Sequence, residues 1–309
     1  MLCLMSYASP SPLSSKCGEK REKGKDPSHM MLLGAHVSVA GGLYQGPIRG
    51  SLLGCDSIQI FTKNQRQWRA KPILEGDAKK FKLSMKNSRV KIAIAHDSYL
   101  INLASDKAEL LERSRAAFRE EVERAEILSI PYLVFHPGTC PDVPGGLSRI
   151  GDSINIVNEE TSGYEVRELL ETTAGQGNVL GHTFEQLAEI LDMVTDRKRI
   201  GICLDTAHIF GAGYDIRDER SYEETMYHLD DVVGMQNLFA IHLNDSKAEF
   251  GSRVDRHDHI GMGKIGLKGF SALVNDERLQ KISGVLETPG DLEDFRANLE
   301  RLQGLLEGN

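Results

Sequence analysis

Eight short runs of apolar and β-branched residues recur along the chain, spaced about 25 to 40 residues apart. They read LLGAHV, SIQIFT, KIAIAH, YLVFH, EVRELLE, RIGICLD, LFAIHL and ISGVLE, from Leu32 to Glu287. The stretches between them have helical spacing. Residues 107–128 place Leu110, Leu111, Phe118, Val122 and Ala125 on one face, and residues 291–306 carry the last such pattern. Thr183 and Gln186 stand at capping-box spacing before an amphipathic run that ends at Val194. Repeated strand–helix alternation of this kind leaves two architectures, a (β/α)8 barrel or an open doubly wound sheet. The open sheet usually carries G-x-G-x-x-G after its first strand, whereas the first run here leads into AHVSVAGGL. The expected fold is therefore α/β, a single-domain (β/α)8 TIM barrel over residues 31–309. Residues 1–30 are Ser- and Pro-rich and then mix basic with acidic side chains, which predicts a disordered N-terminal extension. The extension has no basic n-region before an apolar h-region, and Glu19, Glu22 and Asp26 are out of place in a transit peptide.

The ends of the runs carry the chemistry. His36 closes the first, His96 the third, His136 the fourth, Glu171 the fifth, Asp205 the sixth, His242 the seventh and Glu287 the eighth. Barrel strands point their C-terminal ends at one mouth, so these groups are expected to converge there. Two more pairs lie in connections: His208 follows Asp205 in DTAH, and Asp255 and His257 flank Arg256 in DRH. The second pair belongs to residues 242–266, HLNDSKAEFGSRVDRHDHIGMGKIG, a connection too long to be kept in a compact domain without a function. A lone histidine is more often packed or exposed than metal-bound. Nine candidate ligands at one mouth (His96, His136, Glu171, Asp205, His208, His242, Asp255, His257 and Glu287) exceed the three or four that one ion takes, and imply more than one ion. Imidazole and carboxylate without thiolate suit catalytic zinc or manganese.

Composition excludes several alternatives. The five cysteines are odd in number and include no C-x-x-C pair, so neither a disulfide framework nor a cysteine–zinc site is expected. No apolar run is long enough to span a membrane, and a cytoplasmic location is expected, nucleoid-associated in a bacterium. The chain has no G-x-x-x-x-G-K-[ST] loop and no G-x-S-x-G elbow. A formal charge of −8 argues against a nucleic-acid partner until metal is counted, since three divalent cations bring the balance to −2 and concentrate positive charge at one place. Clustered divalent ions suit phosphoryl chemistry, because they activate water and neutralise the charge that develops at phosphorus.

Two segments fit a nucleic acid. FTKNQRQWRAKP follows the second run with Lys63, Arg66, Arg69 and Lys71, the amides Asn64, Gln65 and Gln67, and the chain's one tryptophan, Trp68. Amides and guanidinium groups suit base edges and phosphates, and a planar ring can cover an exposed base. HDSYLINL after the third run sets Tyr99 and Leu100 near the same rim, where an apolar wedge could enter a duplex. The opposing expectation is that Trp68, Tyr99 and Leu100 pack between loop and barrel.

HVSVAGGL, FTKNQRQW, HDSYLINL, FHPG, LETTAGQG, LDTAHIFGAGYD, HLNDSKAEFGSRVDRH and LETPG, in that order from about Met31 onward, resemble endonuclease IV, the metal-dependent apurinic/apyrimidinic-site endonuclease. The resemblance implies a single barrel with three zinc ions, manganese being an alternative at one of them. It assigns His96, His136 and Glu171 to one ion, Glu171, Asp205, His242 and Glu287 to a second, and His208, Asp255 and His257 to a third. It further implies a DNA-repair deoxyribonuclease acting on duplex DNA with abasic or oxidised sites. An activated water would attack the phosphorus 5′ to the abasic nucleotide, leaving a 3′-hydroxyl and a 5′-deoxyribose phosphate. By the same resemblance Glu287 orients or deprotonates that water and Glu171 bridges two ions. Arg66, Tyr99 and Leu100 would enter the minor groove, with Asn64 and Gln67 beside them, and His36 would have a substrate-side or supporting role. The fold needs no partner subunit, so a monomer is expected. Met262 stands where relatives often carry Glu.

Two other readings stay open from the sequence. A metal-dependent sugar isomerase on a xylose-isomerase-like barrel would use one ion and about four ligands. A non-enzymatic damaged-DNA binder would keep the rim without needing open coordination positions.

Overall fold

The computed structural model describes residues 30–306. The apolar runs form β1 (Leu32–His36), β2 (Ser57–Phe61), β3 (Ile92–His96), β4 (Tyr132–Phe135), β5 (Arg167–Glu171), β6 (Ile200–Asp205) and β7 (Leu238–His242). Two short strands follow, β8 (Asp245–Ser246) and β9 (His257–Asp258), and then β10 (Ser283–Leu286). The eight longer strands close into a barrel in the order β1-β10-β7-β6-β5-β4-β3-β2, each neighbour parallel, while β8 and β9 pair antiparallel outside it. The expected TIM barrel is the fold. The extension expected over residues 1–30 lies, Met30 apart, outside the described residues.

Helices α1 (Gln45–Leu53), α2 (Glu75–Asn87), α3 (Ala108–Leu128), α4 (Val143–Glu160), α5 (Phe184–Met193), α6 (Thr206–Ala212), α7 (Glu219–Val232), α8 (Gly266–Asn275) and α9 (Leu292–Gly304) connect the strands. All but α6, which is buried nearly all round, bury one stripe each. Helix α3 covers Phe118, Val122, Ala125 and Leu128, spaced at three and four residues, whereas Leu110 and Leu111 in its first turn are only partly covered. Thr183 caps α5 as expected, its hydroxyl accepting the N–H of Gln186 at 3.3 Å. The reciprocal half of the box is displaced upstream: the Gln186 side chain accepts the N–H of Gly181 at 2.7 Å.

The two-residue period of the strands builds the site. Ile94, Val134, Leu169, Cys203, Ala240 and Val285 form one closed cluster on the barrel axis. Each stands two positions before His96, His136, Glu171, Asp205, His242 or Glu287, so those six side chains point inward one layer above an apolar floor. β1 contributes Gly34 two positions before His36. A Cβ there would lie 1.8 Å from the Ser57 carbonyl oxygen, so the close approach of β1 to β2 requires glycine.

The long connection after β7 is held by its own carboxylate. Asp245 is buried, and its Oδ1 accepts the backbone N–H groups of Ser246 at 2.8 Å and Ile265 at 2.9 Å. Its Oδ2 accepts those of Gly261 at 2.9 Å, Gly263 at 3.1 Å and Gly266 at 3.3 Å. Together with the β8–β9 pairing, this fixes where Asp255 and His257 stand.

Candidate metal centre and its rim

At the C-terminal mouth, among the described residues, three groups of ligand atoms come within 4.8 Å of one another. They are His96, His136 and Glu171; Glu171, Asp205, His242 and Glu287; and Asp205, His208 and His257. In the first, Glu171 Oε2 lies 3.1 Å from His96 Nε2 and 3.0 Å from His136 Nε2. In the second, His242 Nδ1 lies 2.9 Å from Glu171 Oε1, 3.1 Å from Glu287 Oε2 and 3.8 Å from Asp205 Oδ2. Glu171 therefore belongs to two groups through different oxygens. Asp205, expected in the second alone, also stands at the third, with Oδ2 3.7 Å from His257 Nε2. Asp255 reaches the third group from the exposed side, 3.2 Å from His208 Nε2 and 3.3 Å from His257 Nε2.

Carbonyl oxygens fix which nitrogen of each ring is bare. His96 Nδ1 lies 3.1 Å from the Asp97 carbonyl, His208 Nδ1 2.8 Å from that of Thr172, and His257 Nδ1 3.3 Å from that of Glu287. His242 Nε2 lies 2.8 Å from the Gln59 side-chain oxygen. A carbonyl oxygen only accepts, so each of these nitrogens carries the hydrogen and the opposite nitrogen, facing the carboxylates, is left free to ligate. His257 Nε2 is buried with no hydrogen-bond partner. A bare nitrogen orphaned among carboxylate oxygens is costly unless a cation lies between them. The donor set, imidazole nitrogen and carboxylate oxygen, fits divalent zinc or manganese.

The charge environment of these groups agrees with that arrangement. Burial alone would raise the Glu171 carboxyl, but the His242 and His136 imidazoles outweigh it and hold the group well below the usual carboxylate range. Glu287 is likewise lowered, burial being overcome by His242 and His36. His208 and His242 move upward despite burial, the first because of Asp205 and Asp255, the second because of Cys203, Glu287 and Glu171. Without a cation, the His208 and His242 rings take a second proton on the nitrogen that faces the carboxylates, and a divalent ion held there would displace it.

A family model described as a xylose isomerase-like TIM barrel matches residues 51–305. Probable endonuclease 4 of Chloroflexus aurantiacus is 47% identical over 283 residues, covering 90% of this chain and 99% of that protein. The chain belongs to the endonuclease IV family. Its structure matches that of endonuclease IV from Thermus thermophilus with a TM-score of 0.81 and 32% identity, over 90% of this chain and 100% of the other. A D-tagatose 3-epimerase-like protein, 21% identical with a TM-score of 0.71 over 90% of this chain and 97% of its own, shares the barrel fold.

Around the candidate metal centre of this endonuclease IV relative, the rim residues divide. Tyr99 is 57% exposed and stacks on His136, with ring centroids 5.8 Å apart, so it stands over the first group. Leu100 is half-buried beside it, and Arg66 and Gln67 are exposed. Asn64 is exposed but turned into its own loop, where Oδ1 accepts the Arg66 N–H at 2.9 Å. Ser98 Oγ donates to the Gln65 carbonyl at 2.8 Å and ties the two rim segments together. His36 lies 3.3 Å from Glu287 Oε1 with its ring against Phe61. Of the two readings left open for Trp68, packing is the outcome, and the neighbouring Lys63 side chain also turns inward. Trp68 packs against the core with the Arg113 guanidinium 4.2 Å from its ring centroid, so its ring is not offered to a base. Lys63 is buried on α3, 3.4 Å from Glu121 and 3.6 Å from Glu120, and presents no charge to a phosphate.

Sequence reasoning missed two buried amides. Asn244 Nδ2 donates to Asp205 Oδ2 at 2.7 Å while its Oδ1 accepts the Glu287 N–H at 2.9 Å. Gln59 on β2 donates to Glu287 Oε1 at 2.6 Å and accepts from His242. An amide inside the apolar run SIQIF was the available signal for the second; the N of H-x-N-D-S-K was the signal for the first.

Proposed function

We propose that this chain hydrolyses the phosphodiester bond 5′ to abasic sites in duplex DNA, leaving 3′-hydroxyl and 5′-deoxyribose phosphate ends, with three zinc ions at the mouth of the barrel (manganese being an alternative at one). The observation that carries this reading is the interlocking of the three ligand groups through Glu171 and Asp205. One-ion chemistry needs no third group and no shared carboxylates. The relatives named endonuclease 4 or endonuclease IV support a DNA-cleaving activity for it.

Divalent ions held there would supply Lewis acidity, lowering the pKa of a bound water toward about 7 and clamping the attacking and departing oxygens. His96, His136 and Glu171 would hold one ion, Glu171, Asp205, His242 and Glu287 a second, and His208, Asp255 and His257, with Asp205 at its edge, the third. Glu287 Oε1 is fixed by Gln59, and its backbone N–H by Asn244. Its Oε2 is thereby directed into the centre, where the carboxylate orients the attacking water and takes its proton. Tyr99, Leu100 and Arg66 enter the minor groove beside the lesion with Gln67 next to them, Asn64 holds the loop that carries Arg66, and His36 faces the substrate from β1. A nucleotide that has already lost its base is cheaper to extrude from the stack, which favours the damaged site.

The test is incubation of zinc-loaded protein with a duplex carrying one tetrahydrofuran abasic analogue, with end analysis of the products and elemental analysis of the protein. Expected are a single 5′ incision and close to three ions per chain. One ion, no incision and epimerisation of a ketose would move the chain to the sugar-isomerase reading that shares this barrel. Tight binding of the duplex without incision would leave only a damaged-DNA binder.

A further inference from the structure

We propose that Gln59 is a positioning residue of this centre: its side-chain amide dictates that His242 meets the metal through Nδ1 and that Glu287 meets it through Oε2. This inference rests on the reading of His242 and Glu287 as members of the centre. Gln59 lies fully buried in the middle of β2, the barrel strand after His36 that supplies no imidazole or carboxylate of its own. The β1–β2 register sets it directly beside His36, and the Gln59 carbonyl accepts the Val37 N–H at 2.9 Å, so the backbone beneath the amide is fixed.

Three groups are linked here in one direction. An ionised carboxylate only accepts, so the atom of Gln59 that lies 2.6 Å from Glu287 Oε1 is the NH2 nitrogen. That orientation turns the amide oxygen toward His242 Nε2 at 2.8 Å. The amide oxygen also only accepts, so Nε2 carries the hydrogen and Nδ1 is bare. Nδ1 is the nitrogen that faces Glu171, Glu287 and Asp205, the other three members of its group. Glu287 Oε1 is occupied by the amide, which leaves Oε2 as the oxygen 3.1 Å from His242 Nδ1. The same amide nitrogen lies 3.1 Å from His36 Nδ1 and joins the substrate-side histidine to the network. A single neutral side chain thus sets the tautomer of one ligand and the rotation of another across the barrel axis. An aspartate or glutamate could accept from His242 but would repel Glu287, and an apolar residue would do neither.

Three proteins test this: the wild type, Gln59→Leu and Gln59→Glu, each as the full-length zinc-loaded chain labelled with 15N-histidine. Long-range proton–nitrogen spectra report which His242 nitrogen binds zinc, His242→Asn identifying the signals. The wild type is expected to show Nδ1 bound and Nε2 protonated. Gln59→Leu should lose that single state, release zinc to a chelator faster, and lower kcat on the tetrahydrofuran duplex by about 10- to 100-fold at unchanged KM. Gln59→Glu keeps the acceptor and removes the donor, so it should retain the wild-type His242 state yet still lose kcat. Wild-type spectra, zinc release and kcat in Gln59→Leu would overturn the proposal. Should Gln59→Leu not fold, Gln59→Glu decides alone, and a wild-type kcat there is equally fatal. A wild type that shows no zinc on His242 would instead defeat the underlying assignment of the centre.

Discussion

His257 Nδ1 lies 3.3 Å from the backbone carbonyl of Glu287, although one residue comes from the long connection after β7 and the other from the end of the last barrel strand. The contact fixes the ring so that Nε2 faces Asp205 and Asp255, and it ties the third ligand group to the residue proposed to orient the attacking water. The loop is thereby part of the centre rather than a cover for it.

Replacement of His257 by alanine should remove about one equivalent of zinc while leaving the other two. The side chain is only partly buried and lies outside the barrel core, so the melting temperature of the zinc-free protein should move by no more than a few degrees. Elemental analysis after dialysis, beside thermal unfolding followed by circular dichroism, reads both. Retention of full zinc content would remove His257 from the ligand set.

Glu287→Gln keeps the shape of the side chain and removes both the anion and the proton acceptor. Single-turnover cleavage of the abasic-analogue duplex should fall by about 10²- to 10⁴-fold, the range expected for loss of a general base. Affinity for the same duplex, measured by fluorescence anisotropy, should stay within about threefold because the rim at Arg66, Gln67 and Tyr99 is untouched.

Asp245→Ala leaves five backbone N–H groups of the connection without their acceptor. A destabilisation of about 3 kcal/mol or more is expected, since hydrogen bonds to a buried charge are among the stronger ones and several are lost together. The urea midpoint should fall, and limited proteolysis should cut within residues 247–263 in the variant before the wild type. An unchanged midpoint and cleavage pattern would show that β8–β9 pairing alone holds the loop.

How far the site is legible in the sequence depends on how each residue is fixed. Strand-end ligands such as His96 and Glu171 are readable because two-residue periodicity places them above Ile94 and Leu169 with no knowledge of tertiary contacts. Asp255 and His257 are readable as a pair because extended backbone turns alternate side chains the same way. Gln59 is not, because its meaning lies in His242, 183 positions away, and an amide in an apolar strand carries no sign of its partner. The second neighbour of Asp205 is hidden for the same reason. Trp68 and Lys63 mislead because composition identifies a basic, aromatic loop without revealing which side chains turn inward; α3 offers Arg113 to the ring and Glu121 to the ammonium group.

At the opposite end of β5, Glu168 is fully buried and pairs with Arg199 at 2.7 Å, while its second oxygen has no hydrogen-bond partner. Burial pushes this carboxyl up to about 7, with Arg199 opposing the shift only in part. A folded-state pKa above the unfolded value means that the native protein binds the proton more tightly. The stability this contributes is complete below about pH 4.3, and is lost as pH rises through about 7, an effect of roughly 3 kcal/mol. Glu168→Gln removes the titration, so the difference in unfolding free energy between wild type and variant should change by about that amount between pH 4.5 and pH 7.5. The sign is fixed: the wild type loses stability relative to the variant as pH rises. Denaturant titrations of both zinc-loaded proteins at a series of pH values read it, and a difference that stays flat across the range would show that Arg199 keeps Glu168 ionised throughout.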